Sequence, residues 1–218
     1  RTCLHQAAMV GMLRLVNICL DNNVPADKVD AYGRSALHYA AMNGHAPVCR
    51  RLLGTNVRVD LVDRDNLTPL IHATLKGSLE CVRVLVDEAA SPTNPPFENV
   101  DLSPLSLASR AGHLDVVNFL IETGAENKPN SNGQYPIHLA AKEGRVDVCR
   151  FLIRRDGWDL PDKYHEWTPL FHAARYGHAE CLRLLLEAGA QVRIVDEFEQ
   201  LPIHYAAWYG HNECTALL

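Results

Sequence analysis

The chain has 218 residues, 47% of them apolar and 22% charged, with a formal net charge of −5. That is ample apolar material for a continuous core, and the wrong sign for a chain held to nucleic acid or an anionic membrane surface by bulk charge. No apolar run approaches the roughly 20 residues that a membrane-spanning helix needs.

In chain order, the first element runs from Thr2 to Gly11, and a second helix is expected from Met12 to Leu20. The same two-helix phrase then returns. Its capping position recurs at Thr2, Ser35, Thr68, Ser103, Tyr135, Thr168 and Leu201, at intervals of 33, 33, 35, 32, 33 and 33 residues. A stop glycine keeps step at Gly11, Gly44, Gly77, Gly112, Gly144, Gly177 and Gly210. An inward alanine does the same at Ala7, Ala40, Ala73, Ala108, Ala140, Ala173 and Ala206. Repeats of this period build stacked arrays in which each unit is buried by its neighbours. Helices of about ten residues could not stand alone in water.

The copy from Thr168 to His178 has both ends written in. Thr168 can cap the free N–H groups of the first turn, and Pro169 suits the first helical position, where no donor is needed. Leu170, Ala173 and Ala174 share one face, and Gly177 supplies the left-handed residue that stops the helix. Glu180 to Ala188 reads as the second helix, with Leu182, Leu185 and Leu186 inward and Gly189 closing it.

Between helix pairs lie tight tips such as Asp30-Ala31-Tyr32-Gly33-Arg34-Ser35. The slot of Gly33 later holds Asn66, Asp101, Gly133, Glu166 and Glu199. Asn and Asp tolerate left-handed geometry and Glu does so poorly, so distorted tips are expected at Glu166 and Glu199. Second-helix stops fall at Asn23, Asn56, Ala89, Gly124, Asp156 and Gly189. Ala89 is the exception, and the period stretches there, so an irregular loop is expected over 89–101. Trp158 is expected to pack beneath the loop that follows the fifth helix pair.

The strings Ser35-Ala36-Leu37-His38-Tyr39-Ala40-Ala41, Tyr135-Pro136-Ile137-His138-Leu139-Ala140-Ala141 and Leu201-Pro202-Ile203-His204-Tyr205-Ala206-Ala207 resemble the ankyrin-repeat family. The resemblance implies an all-α ankyrin solenoid: one array over 1–218, seven helix–turn–helix repeats, short β-hairpin or loop tips. It also implies that His5, His38, His138 and His204, and the histidines after the stop glycines, hydrogen-bond between neighbouring loops and helices. Cys49, Cys81, Cys149, Cys181 and Cys214 take slots where the family carries Val or Ile, so they read as small core residues. All seven cysteines are expected to be reduced, one repeat apart along the stack, in a reducing compartment. No nucleophile elbow, phosphate loop or converging metal-ligand set is apparent. Catalytic, cofactor and metal sites are therefore not expected.

Two sets of residues are not needed for packing: the tips, and the two positions before each stop glycine. In the ankyrin family both line a concave binding groove. Carried over slot by slot, the groove receives Tyr32, Arg34, Met42, Asn43, Arg64, Leu67, Leu75, Lys76, Arg110, Lys142 and Glu143. The last two repeats add Tyr164, His165, Trp167, Arg175, Tyr176, Phe198, Trp208 and Tyr209, a concentration of the residue types that anchor interfaces. These eight are the candidate partner-binding residues, read as one partly exposed patch.

A narrower resemblance lies in Arg1-Thr2-Cys3-Leu4-His5, in Asp30 to Gly44 and in Leu201 to His211. These strings are similar to the ankyrin segment of fungal phosphate-system regulators that inhibit a cyclin–cyclin-dependent-kinase pair and carry SPX and glycerophosphodiesterase-like domains around it. The resemblance implies a non-catalytic, monomeric, intracellular (cytoplasmic or nuclear) protein-binding module that occludes such a pair. The alternatives are the regulatory domain of a glycerophosphodiester phosphodiesterase and a general scaffold. Arg1 stands where a repeat begins and Leu218 inside a second helix, so a larger parent is expected.

Overall fold

A computed structural model describes residues 1–89, 100–155 and 157–218. Fourteen α-helices occur among the described residues, and no strand does. They come in pairs: α1 Cys3–Val10 with α2 Leu13–Asp21, α3 Ala36–Met42 with α4 Ala46–Leu53, and α5 Pro69–Lys76 with α6 Leu79–Arg83. Then follow α7 Pro104–Ala111 and α8 Leu114–Glu122, α9 Pro136–Lys142 and α10 Val146–Ile153, α11 Pro169–Tyr176 and α12 Ala179–Glu187, and α13 Pro202–Trp208 and α14 Asn212–Leu217. The described chain forms two compact units, residues 1–89 with 118–125, and 100–117 with 126–218. Within the first unit α1, α3 and α5 pack in sequence; within the second α7, α9, α11 and α13 do so.

Helix ends follow the residues that were expected to write them. Gly177 has φ +76°, and a Cβ placed on it would lie 2.5 Å from Nδ1 of His211, so both backbone and space require glycine there. Leu170, Ala173 and Ala174 are fully buried, as are Leu182 and Leu185; Leu186 is half-buried. Asn23, Gly124 and Gly189 adopt positive φ and stop their helices as expected. Asn56 does not. α4 ends at Gly54 with φ −67°, so that stop works differently. α6 ends differently too: it loosens into a π-helical stretch, Val84–Glu88, before Ala89. The expected irregular loop lies, over 90–99, outside the described residues, and so does the expected stop at Asp156. Trp158 is half-buried.

Two expectations are corrected. Thr168 has the extended backbone of a cap, φ −79° and ψ 168°, but its hydroxyl makes no hydrogen bond. The matching Thr68 accepts from the Ile71 amide at 3.3 Å. The tip at Glu199 is strained rather than distorted, with φ +58° against +59° at Asn66; Glu166, at φ +57°, is strained and sits in an altered tip, as expected. At Glu199 the turn keeps its bonds, Asp196 N–H to Gln200 carbonyl and Glu199 N–H to Asp196 carbonyl, both 3.0 Å. The tip before α11 holds one residue more than those before α3, α5, α9 and α13. Its closing bond runs from Asp162 to the Trp167 carbonyl, five residues on, where Asp30, Asp63, Asn130 and Asp196 close onto the fourth.

The histidines form the expected ladder. The Thr2 amide donates to His5 Nδ1 at 3.0 Å, and His5 Nε2 reaches the Arg34 carbonyl of the next repeat at 3.0 Å. His38 repeats this with Ser35 and Leu67, and His138 with Tyr135 and Trp167. His45, His178 and His211 reach back instead, to the carbonyls of Met9, Lys142 and Arg175.

Candidate protein-binding surface

The candidate patch lies within the second unit, on the tips before α11 and α13 and on the C-terminal turns of α11 and α13. The α11 turn supplies Arg175 and Tyr176, and the α13 turn supplies Trp208 and Tyr209. α11 and α13 pack side by side, which brings the two pairs together.

Arg175 is the hub. Its guanidinium lies 5.0 Å from the Tyr209 ring centre, 5.1 Å from Trp167 and 5.9 Å from both Tyr176 and Tyr205. Among the described residues no carboxylate forms an ion pair with it. Cation–π contact stabilises the guanidinium and leaves its N–H donors for other acceptors. Trp208 stacks on Tyr209 at 6.5 Å and is 78% exposed, the largest open aromatic surface among the described residues. Phe198, Tyr164, Tyr209 and Tyr176 are also exposed. Lys142 lies over the Tyr176 ring at 5.4 Å, and Tyr164 sits beside Lys163. His165 faces Phe198 at 6.3 Å and bonds Glu197 through Nδ1 at 2.6 Å.

Trp167 was expected in this patch and lies beneath it. Only 5% exposed, it forms a core cluster with Phe171 and Tyr205. Its ring stacks on Phe171 at 6.0 Å and meets Tyr205 edge-on at 4.9 Å. Its Nε1–H donates to Asp196 Oδ2 at 2.9 Å, and the Tyr205 hydroxyl donates to the same oxygen at 2.5 Å. Burial alone would raise the Asp196 carboxyl. The bonds from Tyr205, Trp167 and the Gln200 and Phe198 amides outweigh it and hold the group below its ordinary range. Trp167 therefore supports the surface: Arg175 rests on its face, and the His165 ring lies tilted against it, 5.0 Å away.

This support system was missed in the sequence, though it had a signal there. The residue one past the helix-ladder histidine slot is polar wherever the tip opens with Asp. Tyr39 bonds Asp30 at 2.7 Å, His72 bonds Asp63 at 2.9 Å, His172 bonds Asp162 at 3.2 Å, and Tyr205 bonds Asp196. Where the tip opens with Asn130, the same slot is Leu139.

Residues 4–96 and 156–218 match the family model described as ankyrin repeats in three copies, and residues 105–153 that for ankyrin repeats in many copies. The chain belongs to the ankyrin-repeat family. It is similar to "Ankyrin repeat protein nuc-2" of Neurospora crassa, 41% identical over 200 residues, which cover 90% of this chain and 19% of that relative. It is similar also to the crystal structure of the human ASB11 ankyrin repeat domain, with a TM-score of 0.88 and 26% identity over 100% of this chain and 98% of that one. Ankyrin repeats are modules of protein–protein binding, and the all-helical architecture here is theirs.

Within an ankyrin repeat the slots of Arg175–Tyr176 and Trp208–Tyr209 are unused by packing, which is why these side chains stay open here. The first unit fills the equivalent slots with Met42–Asn43 and Leu75–Lys76, and there the aromatic concentration is missing. Among the described residues no helix is long and apolar enough to cross a membrane, and no cluster of three or more metal-ligating side chains occurs.

Proposed function

We propose that this ankyrin array is the protein-binding module of a fungal phosphate-signalling regulator, and that it inhibits a cyclin–cyclin-dependent-kinase complex by occlusion, inside the cell and as a monomer. The observation that carries the binding reading is the Arg175 hub: a guanidinium with no carboxylate partner among the described residues, flanked by Tyr176 and Tyr209, with Trp208 stacked on Tyr209, on a buried base of Trp167, Phe171 and Tyr205. Exposed aromatics around an arginine are the composition of interface hot spots, and a packed, hydrogen-bonded base lowers the ordering cost of binding. The kinase reading rests on the fungal strings alone; a Neurospora relative that aligns with nearly the whole chain supports the fungal part of the resemblance. The chain spans 19% of that relative's length, so the activities of a whole parent protein are part of the proposal.

The test is direct. The purified chain, titrated into an active cyclin–kinase pair, should lower phosphorylation of a peptide substrate and form a complex measurable by calorimetry. Arg175→Ala and Trp208→Ala should each weaken that complex at least about tenfold. A chain that leaves kinase activity unchanged and binds no component of the pair overturns the kinase reading and leaves a scaffold with another protein partner. Variants that bind as tightly as the parent overturn the surface.

A further inference from the structure

The seven cysteines are free thiols, but they are not spaced apart as the repeat register alone implies. The Cys49 thiol hydrogen-bonds to Cys81, and the Cys149 thiol to Cys181, each across one repeat. Cys3 and Cys19 come together inside one repeat, with Sγ of Cys19 3.2 Å from Sγ of Cys3. The slots explain the third pair. The first position of the first helix is Ala36, Pro69, Pro104, Pro136 and Pro169 in the next five repeats, and the slot sixteen residues on is Leu52, Leu85, Leu120, Leu152 and Leu185. Each of those leucines is buried. The first repeat carries cysteine in both of those slots.

We propose that Cys3 and Cys19 are an oxidisable dithiol that a peroxide closes into a disulfide, tying α1 to α2. The sulfurs need to approach by only about 1 Å to reach bonding distance, within the adjustment of two side chains. The roles of the two thiols differ. Cys3 is exposed and open to a peroxide; Cys19 is 4% exposed, and burial pushes its thiol up to about 11, so it waits protonated. The Cys3 thiolate attacks the peroxide O–O bond, taking one oxygen as a sulfenic acid and releasing water once a proton is added. The Cys19 sulfur then attacks the sulfenic sulfur, the S–O bond breaks, and hydroxide leaves with the Cys19 proton as a second water. Two thiols and one hydrogen peroxide thus give one disulfide and two waters. The other two pairs are 0% exposed at all four thiols, so peroxide reaches them only when their helices open.

Closing this loop restricts the unfolded first repeat and so holds α1 against α2 more firmly. The pair is compatible with a reducing compartment, where it rests as a dithiol and closes when peroxide rises.

The experiment treats the reduced 218-residue chain with hydrogen peroxide, alkylates the remaining thiols and maps peptides after trypsin without reduction. Cys3 and Cys19 fall in separate peptides, 2–14 and 15–28, so the bond appears as a cross-linked pair that dithiothreitol dissolves. That cross-link is expected at peroxide levels where Cys49, Cys81, Cys149 and Cys181 are unmodified. Amide hydrogen exchange in α1 and α2 should slow roughly tenfold on oxidation. Cys19→Leu restores the residue of the other repeats, so the variant folds. It should give no cross-link and no change in exchange with peroxide, with Cys3 trapped as the sulfenic acid. Cys3 oxidised onward to sulfinic acid in the parent chain, without any 2–14/15–28 cross-link, overturns the proposal. So does slowed exchange that persists in Cys19→Leu.

Discussion

The two units solve one problem in two chemistries. Each tip opens on a carboxylate or amide that must hold the turn, and in both units that group accepts two tip amides. Asp30 binds the Tyr32 and Arg34 amides, Asp63 those of Asp65 and Leu67, and Asp196 those of Phe198 and Gln200. A third donor arrives from the preceding repeat, from the residue just before its cap and 29 positions back. In the first unit that donor is Arg: Arg1 on Asp30 at 3.1 Å and Arg34 on Asp63 at 2.8 Å. In the second unit it is Trp167 on Asp196 at 2.9 Å. The first solution is an ion pair with a guanidinium left partly in water. The second is neutral, buried and aromatic, and it builds the floor under Arg175. One tip slot is thus a charge clamp in one unit and the foundation of a binding surface in the other.

The largest expected effect tests the aromatic solution. Trp167→Ala removes a ring that is 5% exposed and stacked on Phe171 and Tyr205, and it takes one of four donors from Asp196. Loss of a buried Trp side chain costs about 3–5 kcal/mol. Chemical denaturation should show a drop of that size, and binding should fail along with it because Arg175 loses its base. A drop below about 1 kcal/mol would mean that the ring is peripheral.

Acid should loosen both units, by a shared route. His38 is held at about 4 and His138 at about 3, and His72 and His172 are lowered as well, burial being the chief cause in each. Unfolded, each would titrate near 6.5. The unfolded chain therefore binds more protons than the fold does below that pH. Their contribution is complete above pH 6.5 and falls with pH below it; for His38 and His138 the loss runs toward 4 and 3, by about 1.4 kcal/mol per unit each. Asp63 and Asp162, lowered to about 2 because tip and side-chain bonds outweigh burial, withdraw their share only as pH falls through 3.8 toward 2. His72→Tyr copies the Tyr39 and Tyr205 arrangement and removes one titrating group. Its stability should fall less steeply between pH 6.5 and 5, and an unchanged slope would show that His72 does not couple to folding.

A smaller effect separates the two clamps. Arg34 is 20% exposed and Asp63 fully buried, so the pair is partly screened by salt. Arg34→Gln should cost about 1 kcal/mol at low ionic strength and less in 1 M sodium chloride, read from urea midpoints at both. The Trp167 bond to Asp196 should show no such salt dependence. Equal salt response in the two units would erase the distinction.

The repeat register was legible because it depends on spacing alone, most helix ends because cap and stop residue types mark them, and the histidine ladder only through the family resemblance. The clamps were not, since they join a residue to a carboxylate 29 positions ahead, and only the geometry of neighbouring tips shows that these meet. That is why Trp167 read as a groove residue: its slot does sit at a tip, but the side chain turns toward the next tip rather than outward. The extra residue in the tip before α11 escaped for another reason. The 33-residue period is kept there, so a counting argument has nothing to register. Thr168 shows the same limit at the scale of one hydroxyl, where the cap residue and its backbone were foreseeable and the missing hydrogen bond was not.

The smallest expected effect on stability is the one that isolates function. Trp208 occupies the slot before Tyr209 on the last turn of α13 and is 78% exposed, with Tyr209 as its stacked neighbour. Removing an exposed ring that supports no buried group changes folding by less than about 0.5 kcal/mol. Removing an anchor that a partner would bury costs about 2 kcal/mol or more of binding. Trp208→Ala should therefore melt within about 2 °C of the parent chain and bind its partner at least roughly tenfold more weakly. Trp167→Ala, at a ring only 5% exposed, should lose both. If Trp208→Ala also melts early, the ring belongs to the structural floor rather than to the surface, and the division between support and contact drawn from Trp167 and Arg175 has to be moved outward by one layer.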